Sequence, residues 1–435
     1  MTDARGNTTT YTYDCWGNPE KITGPEGSET RLDHDIRGRL RSVTDPEGHT
    51  TQYTYDSLDY PESIIHPEIT KYTLPPGSTR VQAFDYDAVG NLVSETDRLG
   101  LRLTYTYTAR DQVSTITRNI GGTKTFSYDG NGNLLSETDW KGNATTHTYD
   151  AIDQRVTTTN RLGHTMHMAY DLSGNLTSVR DYEGRTTSHE YDRLNRLTDT
   201  YQPALAGQER GHIHKTYYDE GDPETNLKTE TDQEGNTTTY EYNGRYLRTK
   251  RTNALGDVYV WGYDDNGNTA METDEEGNRT RYEYDRQNRL IFAYRSLAGR
   301  EIATGYRYDA NGNRTHVIDA RGKVSETRYD AWNRACKVID PDGYVTTTQY
   351  DAAGNVVKVN DGNGNDRTWT RDQRGLVLTA IDAEGKTTRY TYDLNGNVVT
   401  ATDANNSVTH TTYDAEDRPR VTTEAFGTGD ARASK

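Results

Sequence analysis

The side chains best suited to chemistry are oxygen donors at alternate positions. Asp-x-Asn-x-Asn occurs at Asp129/Asn131/Asn133, Asp309/Asn311/Asn313, Asp361/Asn363/Asn365 and Asp393/Asn395/Asn397. Alternating oxygens open a calcium loop. A full loop also needs Gly at its sixth position and an acidic residue at its twelfth. Counted from Asp361, those positions hold Asp366 and Asp372, so only the second fits, as Asp in place of Glu. His212 and His214 lie two apart and would share one face of a strand, and His164 and His167 form another close pair. Zinc takes three or four protein ligands, and the sequence displays no Cys or carboxylate cluster that completes either pair. Cys336 lacks a persuasive His partner, and a nucleophile without a base is weak evidence for an enzyme. Carboxylate pairs abound, but they recur at intervals, whereas acid–base catalysis needs one carboxylate set apart by its surroundings. The reading is non-catalytic, with no metal and no cofactor expected.

What positions these residues is a 21-residue beat. Tyr-Asp pairs stand at Tyr13, Tyr55, Tyr128, Tyr149, Tyr170, Tyr191, Tyr263, Tyr284, Tyr329, Tyr350, Tyr392 and Tyr413. Degenerate members at His34-Asp35, Tyr107-Thr108, Tyr242-Asn243 and Arg371-Asp372 keep the register. Of the 18 intervals between Tyr13 and Tyr413, 14 are 21 residues and the others 31, 27, 24 and 24, the 27-residue one ending at Tyr218. A fixed period marks a repeat architecture. Residues 1–435 therefore read as a single array, with irregular insertions near 57–85 and 201–217. Those inserts, around Ile64-Ile65-His66-Pro67, Leu74-Pro75-Pro76-Gly77 and Pro203 to His214, are expected to be loops that contact a partner, fill the lumen, or drift.

Each repeat reads as a hairpin. Thr145 to Tyr149 alternates and is β-prone, Asp150 to Asp153 turns, Gln154 to Thr159 returns, and Asn160 to Gly163 turns again. The first turn is best preserved at Tyr128-Asp129…Gly132-Asn133, Tyr170-Asp171…Gly174-Asn175 and Tyr392-Asp393…Gly396-Asn397; the second is Thr-Asp-x-x-Gly, as in Thr138 to Gly142. Asp accepts backbone N–H groups two or three residues on, and Gly supplies positive φ for re-entry. Tyrosines spaced i, i+2, such as Tyr390/Tyr392, share a face, and neighbouring hairpins are expected to build an aromatic ladder. Nineteen hairpins imply 38 strands and, at about 4.8 Å per strand, a ribbon roughly 180 Å wide. Open twisted sheets beyond about ten strands curl. The expected fold is all-β, antiparallel hairpins wound into a spiral sheet that encloses space.

Composition agrees. Hydrophobic content is 31%, net charge is −17, and 33 Tyr face 4 Phe. Rings that carry hydroxyls suit a thin wall with wet sides. The acidic balance disfavours nucleic-acid binding, and no apolar run approaches the about 20 residues of a membrane span. Met1 to Asn7 already reads as mid-repeat with no signal peptide, so the chain looks like a slice of a longer array, cytoplasmic before any export. Cys15 and Cys336 define neither a disulfide framework nor a redox motif.

Tyr-Asp-x-x-Gly-Asn-Leu followed by Thr-Asp-x-x-Gly, clear at Tyr128 to Leu134 and Tyr170 to Leu176, resembles the YD repeat of the Rhs family, which includes the C components of Tc toxins and the teneurins. The resemblance spans almost the whole chain. It implies a hollow β-shell segment that encloses a C-terminal toxin and aids its delivery in interbacterial competition, secreted or at the cell surface as part of a larger bacterial protein. The implied partners are that toxin cargo, other parts of a longer Rhs protein and a secretion spike. The alternative is an adhesive surface protein whose tyrosines hold glycans. The family's closing segment carries Asp-Pro-x-Gly; here Asp45-Pro46-Glu47-Gly48 and Asp340-Pro341-Asp342-Gly343 sit at the second-turn position and read as turns. No spike-docking or toxin segment is recognised.

Overall fold

The computed structural model describes residues 1–69, 79–204, 210–218, 226–297, 300–425 and 431–434. It is all-β, with 39 strands from β1 (Thr10–Tyr13) to β39 (Ala431–Ser434) in one sheet. Each strand pairs antiparallel with its neighbours in sequence, as β13 (Ala144–Tyr149) does with β14 (Arg155–Thr159), and β14 with β15 (Thr165–Tyr170). Strands are mostly five or six residues long because a turn arrives every ten or eleven. The insert residues Leu74 to Gly77 and residues 205–209 lie outside the described set.

The two turns of a repeat pair their strands differently. Across the turn at Asn160, Thr157, Thr158 and Thr159 oppose His167, Met166 and Thr165 in clean register. Across the tyrosine turn, Thr148 opposes Thr157 but Tyr149 opposes Arg155, so one residue is left over. The same shift sits beside the tyrosine turn of the first hairpin, between Thr12 and Tyr13, and of the last, between Thr412 and Tyr413. A bulge bends its strand and increases local twist. One bulge per 21 residues, always on the same rim, adds curvature in one sense to the ordinary twist of a sheet.

The wall is thin. Cys336 and Ala352 are the buried apolar residues among those described, while Ser94, Arg118, His147, Thr158 and Asp351 are buried polar ones. Alternation is legible along β9 (Arg102–Tyr107), where Leu103, Tyr105 and Tyr107 are half-buried and Arg102, Thr104 and Thr106 exposed. The exposed face carries cross-strand threonine pairs, such as Thr106–Thr115 at 2.6 Å, Thr148–Thr157 at 2.6 Å and Thr391–Thr400 at 2.6 Å between hydroxyls. Backbone ladders and hydroxyl pairs replace the oily core that a 31% hydrophobic chain cannot supply.

Candidate functional site: the turn rims and the seam between coils

Tyrosine turns that keep the aspartate are closed by it, and Thr108 and Asn243 take its place in theirs. At Asp129, the backbone N–H donates to the Asn133 carbonyl at 3.0 Å, and Gly132 N–H donates to the Asp129 carbonyl at 3.2 Å. Oδ1 accepts the N–H groups of Asn131 and Asn133, each at 2.9 Å, and Oδ2 accepts Asn133 Nδ2 at 3.0 Å. Asp171 with Ser173, Gly174 and Asn175 repeats the scheme, and Asp393 with Gly396 and Asn397 repeats it without the N–H two residues on. The carboxylate thus reaches two and four residues on, where the sequence suggested two or three. The hydrogen bond from Asn133 holds Asp129 below the usual carboxylate range, and Asn175 does so for Asp171. Gly132 takes φ +98°, which an L side chain rarely adopts. Asp45 and Asp340 close turns in the same way, with Gly48 and Gly343 donating to their carbonyls.

The tyrosine ties one hairpin to the one before it. Tyr128, Tyr149, Tyr170 and Tyr392 donate their hydroxyls to the carbonyls of Val113, Leu134, Arg155 and Val377 at 2.9, 3.0, 3.0 and 2.7 Å. In each case the acceptor lies fifteen residues earlier. Burial raises Tyr128 and Tyr392 above the ordinary phenol range and keeps the donor proton in place. The expected ladder of stacked tyrosines is not what binds the hairpins. Among the described residues the stacked tyrosine pair is Tyr60–Tyr86, with centroids 5.0 Å apart, and Tyr218–Tyr242 meet edge-on. The rings are covered instead by guanidinium groups: Arg39 lies 4.6 Å over Tyr55 and Arg334 4.7 Å over Tyr350. Adjacent strands place hydroxyl and carbonyl within reach, but the bulge offsets ring from ring. In the insertion, Tyr217 donates to Leu197 and ends its strand, so Tyr217 holds the repeat position that the spacing gave to Tyr218.

The middle asparagine of Asp-x-Asn-x-Asn reaches outside its turn. Asn131 and Asn133 both donate to Asp153 Oδ1 in the next tyrosine turn, at 2.9 and 2.6 Å. Asn311 and Asn313 do the same to Asn333. The acceptors Asp153 and Asn333 hold φ of 64° and 58°, where the donor turns have Gly132 and Gly312. Two turn types therefore alternate along this rim in these segments, which doubles the period to two hairpins.

Middle asparagines, including that of a further run, Asp264/Asn266/Asn268, also cross a much larger gap. Asn266 donates to Asp3 at 2.7 Å, Asn311 to Asp45 at 2.7 Å and Asn395 to Asp139 at 2.8 Å, across 263, 266 and 256 residues. The ribbon has gone once round in roughly a dozen hairpins and lies on itself. The second turns of the earlier coil meet the tyrosine turns of the later one. Trp332 fills one contact: its Nε1–H donates to the Pro67 carbonyl at 3.0 Å, His66 tilts against it, and Arg98 and Arg334 lie over its ring at 4.3 and 4.5 Å. The described start of the first insertion is thus an internal contact, where a partner contact, lumen filling or drift was expected.

The last contact is ionic. Lys141 Nζ lies 3.1 Å from Asp393 and 2.8 Å from Asp417, and Arg161 Nη1 lies 2.7 Å from Asp139 and 3.0 Å from Asp417. Glu416 accepts the Arg161 N–H at 2.7 Å. Burial raises Asp139, but hydrogen bonds from Asn143, Asn395 and backbone N–H groups more than offset it and hold the carboxyl at about 2. Asp417 is pushed lower still, with Lys141, Asn395, Asn397 and Arg161 outweighing its burial.

Comparison with known families gives this architecture a place. Residues 268–432 match the teneurin YD-shell, and residues 1–29, 34–68, 86–124, 107–144, 128–165, 170–204 and 221–258 match the RHS repeat. The chain belongs to the Rhs/YD-repeat family. No curated relative is matched. Among solved structures, TcdB2-TccC3-TEV is similar over 98% of this chain at TM-score 0.65 and 13% identity. TcdB2-TccC3 is similar over 99% at 0.58 and 15%, and the Photorhabdus luminescens Tc holotoxin pore over 98% at 0.54 and 14%. The chain spans 28% of the length of the first of these and 27% of the second. At such identity the likeness establishes the shell fold.

For a YD repeat, the sequence gives the turn residues but not the seam. Asn266, Asn311 and Asn395 look like ordinary turn residues until the coil closes over Asp3, Asp45 and Asp139. A signal was present in the doubled period, where Gly alternates with Asn or Asp at the positive-φ position. Two further candidates resolve differently. His164 donates its backbone N–H to Asn160 at the turn, and His167 opposes Thr157; among the described residues that pair joins no metal-ligand cluster. His212 and His214 both meet Asp199. Cys336 is buried with its thiol 3.5 Å from the Arg328 carbonyl, and Cys15 is exposed. No helix among the described residues is long and apolar enough to cross a membrane.

Proposed function

We propose that this YD-repeat coil is a segment of the non-catalytic wall of a container that holds another polypeptide, as part of a longer Rhs-type toxin. The observation that carries the reading is the seam: the ribbon passes one full turn and is fastened to itself at Asp3–Asn266, Asp45–Asn311 and Asp139–Asn395. A wall fastened to itself excludes proteases and partner proteins from its inside, which an adhesive ribbon has no need to do. The thin wall has hydroxyls and carboxylates in place of broad apolar surface, so it supplies little hydrophobic attraction to trap an unfolded passenger. The cargo is a toxin domain by analogy with the Tc components, and release in competition between bacteria is the setting the family suggests.

The test is protease protection. A destabilised reporter domain is joined to the end of the full chain and digested beside the free reporter. Slower digestion of the joined reporter, lost when the seam is broken by Lys141→Ala with Arg161→Ala, is expected. Equal digestion rates would overturn the container reading, and a saturable hit on a glycan array would favour the adhesive one.

A further inference from the structure

We propose that Asp199, His212 and His214 form a binding site for one divalent transition-metal ion of the zinc class on the hydroxyl-bearing face of the wall. The repeat serves as its own control. Asp199 lies on β18 (Leu197–Tyr201), and His212 and His214 lie on β19 (His212–Tyr217), with His214 directly opposite Asp199 and His212 opposite Tyr201. In the hairpins on either side, the equivalent pairs are Ser178–Ser188 with Arg180–Thr186, and Thr229–Thr239 with Thr231–Thr237. Small hydroxyls fill these positions in the flanking hairpins except at Arg180; elsewhere His167 and His410 face threonines and His316 faces Glu326, but none of those pairs brings in a second imidazole. A carboxylate and two imidazoles are an addition that the wall does not require.

The geometry is that of a ligand set. His212 and His214 are two apart on a strand, so both rings project from the same face. His212 Nε2 lies 2.8 Å and His214 Nδ1 2.7 Å from the same oxygen, Asp199 Oδ1. All three ligand atoms lie within 4.8 Å of one another. Zinc–nitrogen bonds of about 2.0–2.1 Å in tetrahedral arrangement place ligand atoms roughly 3.3 Å apart, so an opening of about half an ångström admits the ion. Each imidazole would give up the N–H it now directs at Oδ1 and carry its proton on the opposite ring nitrogen. The metal takes the place of the two donated protons, and the fourth position is left to water.

Two neighbouring features favour a cation here. The Tyr201 ring stacks on His212 with centroids 4.5 Å apart and planes 5° from parallel, which fixes the imidazole plane before any ion arrives. Arg210 is a nearby charge that opposes a cation; it is engaged elsewhere, donating to Ser188 Oγ at 2.8 Å and to the Gln202 carbonyl at 2.9 Å, with its guanidinium 5.6 Å from the Tyr201 centroid. Glu190 stands directly opposite Asp199 on β17 (Thr186–Tyr191). Like charges directly opposite on a sheet repel, and a divalent ion bound at Asp199 reverses that repulsion. The two histidines are half-exposed while Asp199 is largely covered, so the ion has an open path in.

The experiment is a titration of the untagged, metal-free full chain with zinc, followed by calorimetry, and with cobalt(II), followed by its visible absorption. One tight equivalent per chain is expected, with cobalt bands of the intensity of a four-coordinate nitrogen–oxygen site. Asp199→Asn and His214→Gln should each weaken that equivalent roughly tenfold or more, while His164→Gln leaves it unchanged. Because the chain carries many carboxylates, weak extra equivalents are subtracted with the variants. Absence of a tight equivalent, or one that survives both substitutions in protein with an unchanged β spectrum, would overturn the proposal.

Discussion

Two clusters of charge, on different parts of the same wall, have opposite characters. At the seam, Asp139, Asp393, Asp417 and Glu416 are shared between Lys141 and Arg161, and all six belong to turns that other repeats also possess. On β18 and β19, Asp199 meets His212 and His214 at positions where the flanking hairpins have Ser, Thr and Arg. In the first cluster, each charge is answered by another part of the chain and the product is closure. In the second, the imidazoles remain half-exposed and nothing about closure depends on them. The difference teaches how to separate architecture from chemistry in a repeat protein: architecture is what recurs, and chemistry is sought where one copy departs from the rest.

The sharpest way to break the comparison is to remove both seam cations. Lys141→Ala with Arg161→Ala leaves four acidic side chains facing one another between coils, each a quarter exposed or less. Breaking an ionic cluster from one side costs about 3–5 kcal/mol when fully buried, and partial exposure brings this to roughly 2–4 kcal/mol. Small-angle scattering should show the coils parting, and the melting temperature should fall. Scattering and melting both identical to the parent would mean that the seam is not what fastens the wall.

Acid should open the same seam without mutation. Asp139 has its folded pKa depressed to about 2, against about 3.9 when unfolded. Its contribution is therefore complete above about pH 4 and is lost as pH falls through 2; Asp417, depressed further, acts in the same direction. The melting temperature should decline between pH 4 and 2. Asp139→Asn should start lower at neutral pH and lose less across that window. An unaltered pH profile in that variant would remove Asp139 from the account.

How much of this was legible in the sequence follows from the range of each interaction. Asp129 with Gly132 and Asn133 is a local circuit, so a five-residue window contains its entire cause, and the hairpins, the all-β fold and the coiling follow from its repetition. The tyrosine was legible as a repeat mark but not in its role. A stacked ladder is the natural inference from Tyr390/Tyr392, and only the bulge beside each tyrosine turn, with its one-residue offset, explains why Tyr392 reaches the Val377 carbonyl instead. The seam was out of reach because its partners are separated by the circumference of the coil, which depends on twist and bulge accumulated over roughly a dozen hairpins. Asp199 was missed for a simpler reason. It lies on the strand before the insertion, and only the register across 202–211 sets it opposite His214.

A smaller effect tests the tyrosine's role. Tyr149→Phe keeps the ring and deletes one hydroxyl that donates to Leu134 at 3.0 Å. The loss should be about 1 kcal/mol, read as a shift in the denaturation midpoint. The variant joining Tyr149→Phe and Tyr392→Phe should lose the sum of the two, because the sites share no partner. A neutral result at both would return the tyrosine to a packing role and make Asp-x-x-Gly alone responsible for joining hairpins.

The smallest change in stability belongs to the other cluster, and its smallness is the point. Asp199→Asn removes a charge that faces Glu190 across β17 and β18 and accepts from His212 and His214. Hydrogen bonds from His214, Thr198 and His212 outweigh burial and hold the Asp199 carboxyl below its usual range, so the aspartate stabilises the fold somewhat at neutral pH. The same substitution relieves like-charge repulsion with Glu190. These terms oppose each other and Asn keeps an acceptor oxygen, so in metal-free protein the net change should stay below about 1 kcal/mol. Saturating zinc should then raise the melting temperature of the parent by linkage, because an ion that binds only the folded state stabilises it, and should raise that of Asp199→Asn by clearly less. A loss as large as that of the seam variant in metal-free protein would instead make the His–Asp cluster a structural clamp of the irregular hairpin, and the contrast between closure and chemistry would disappear.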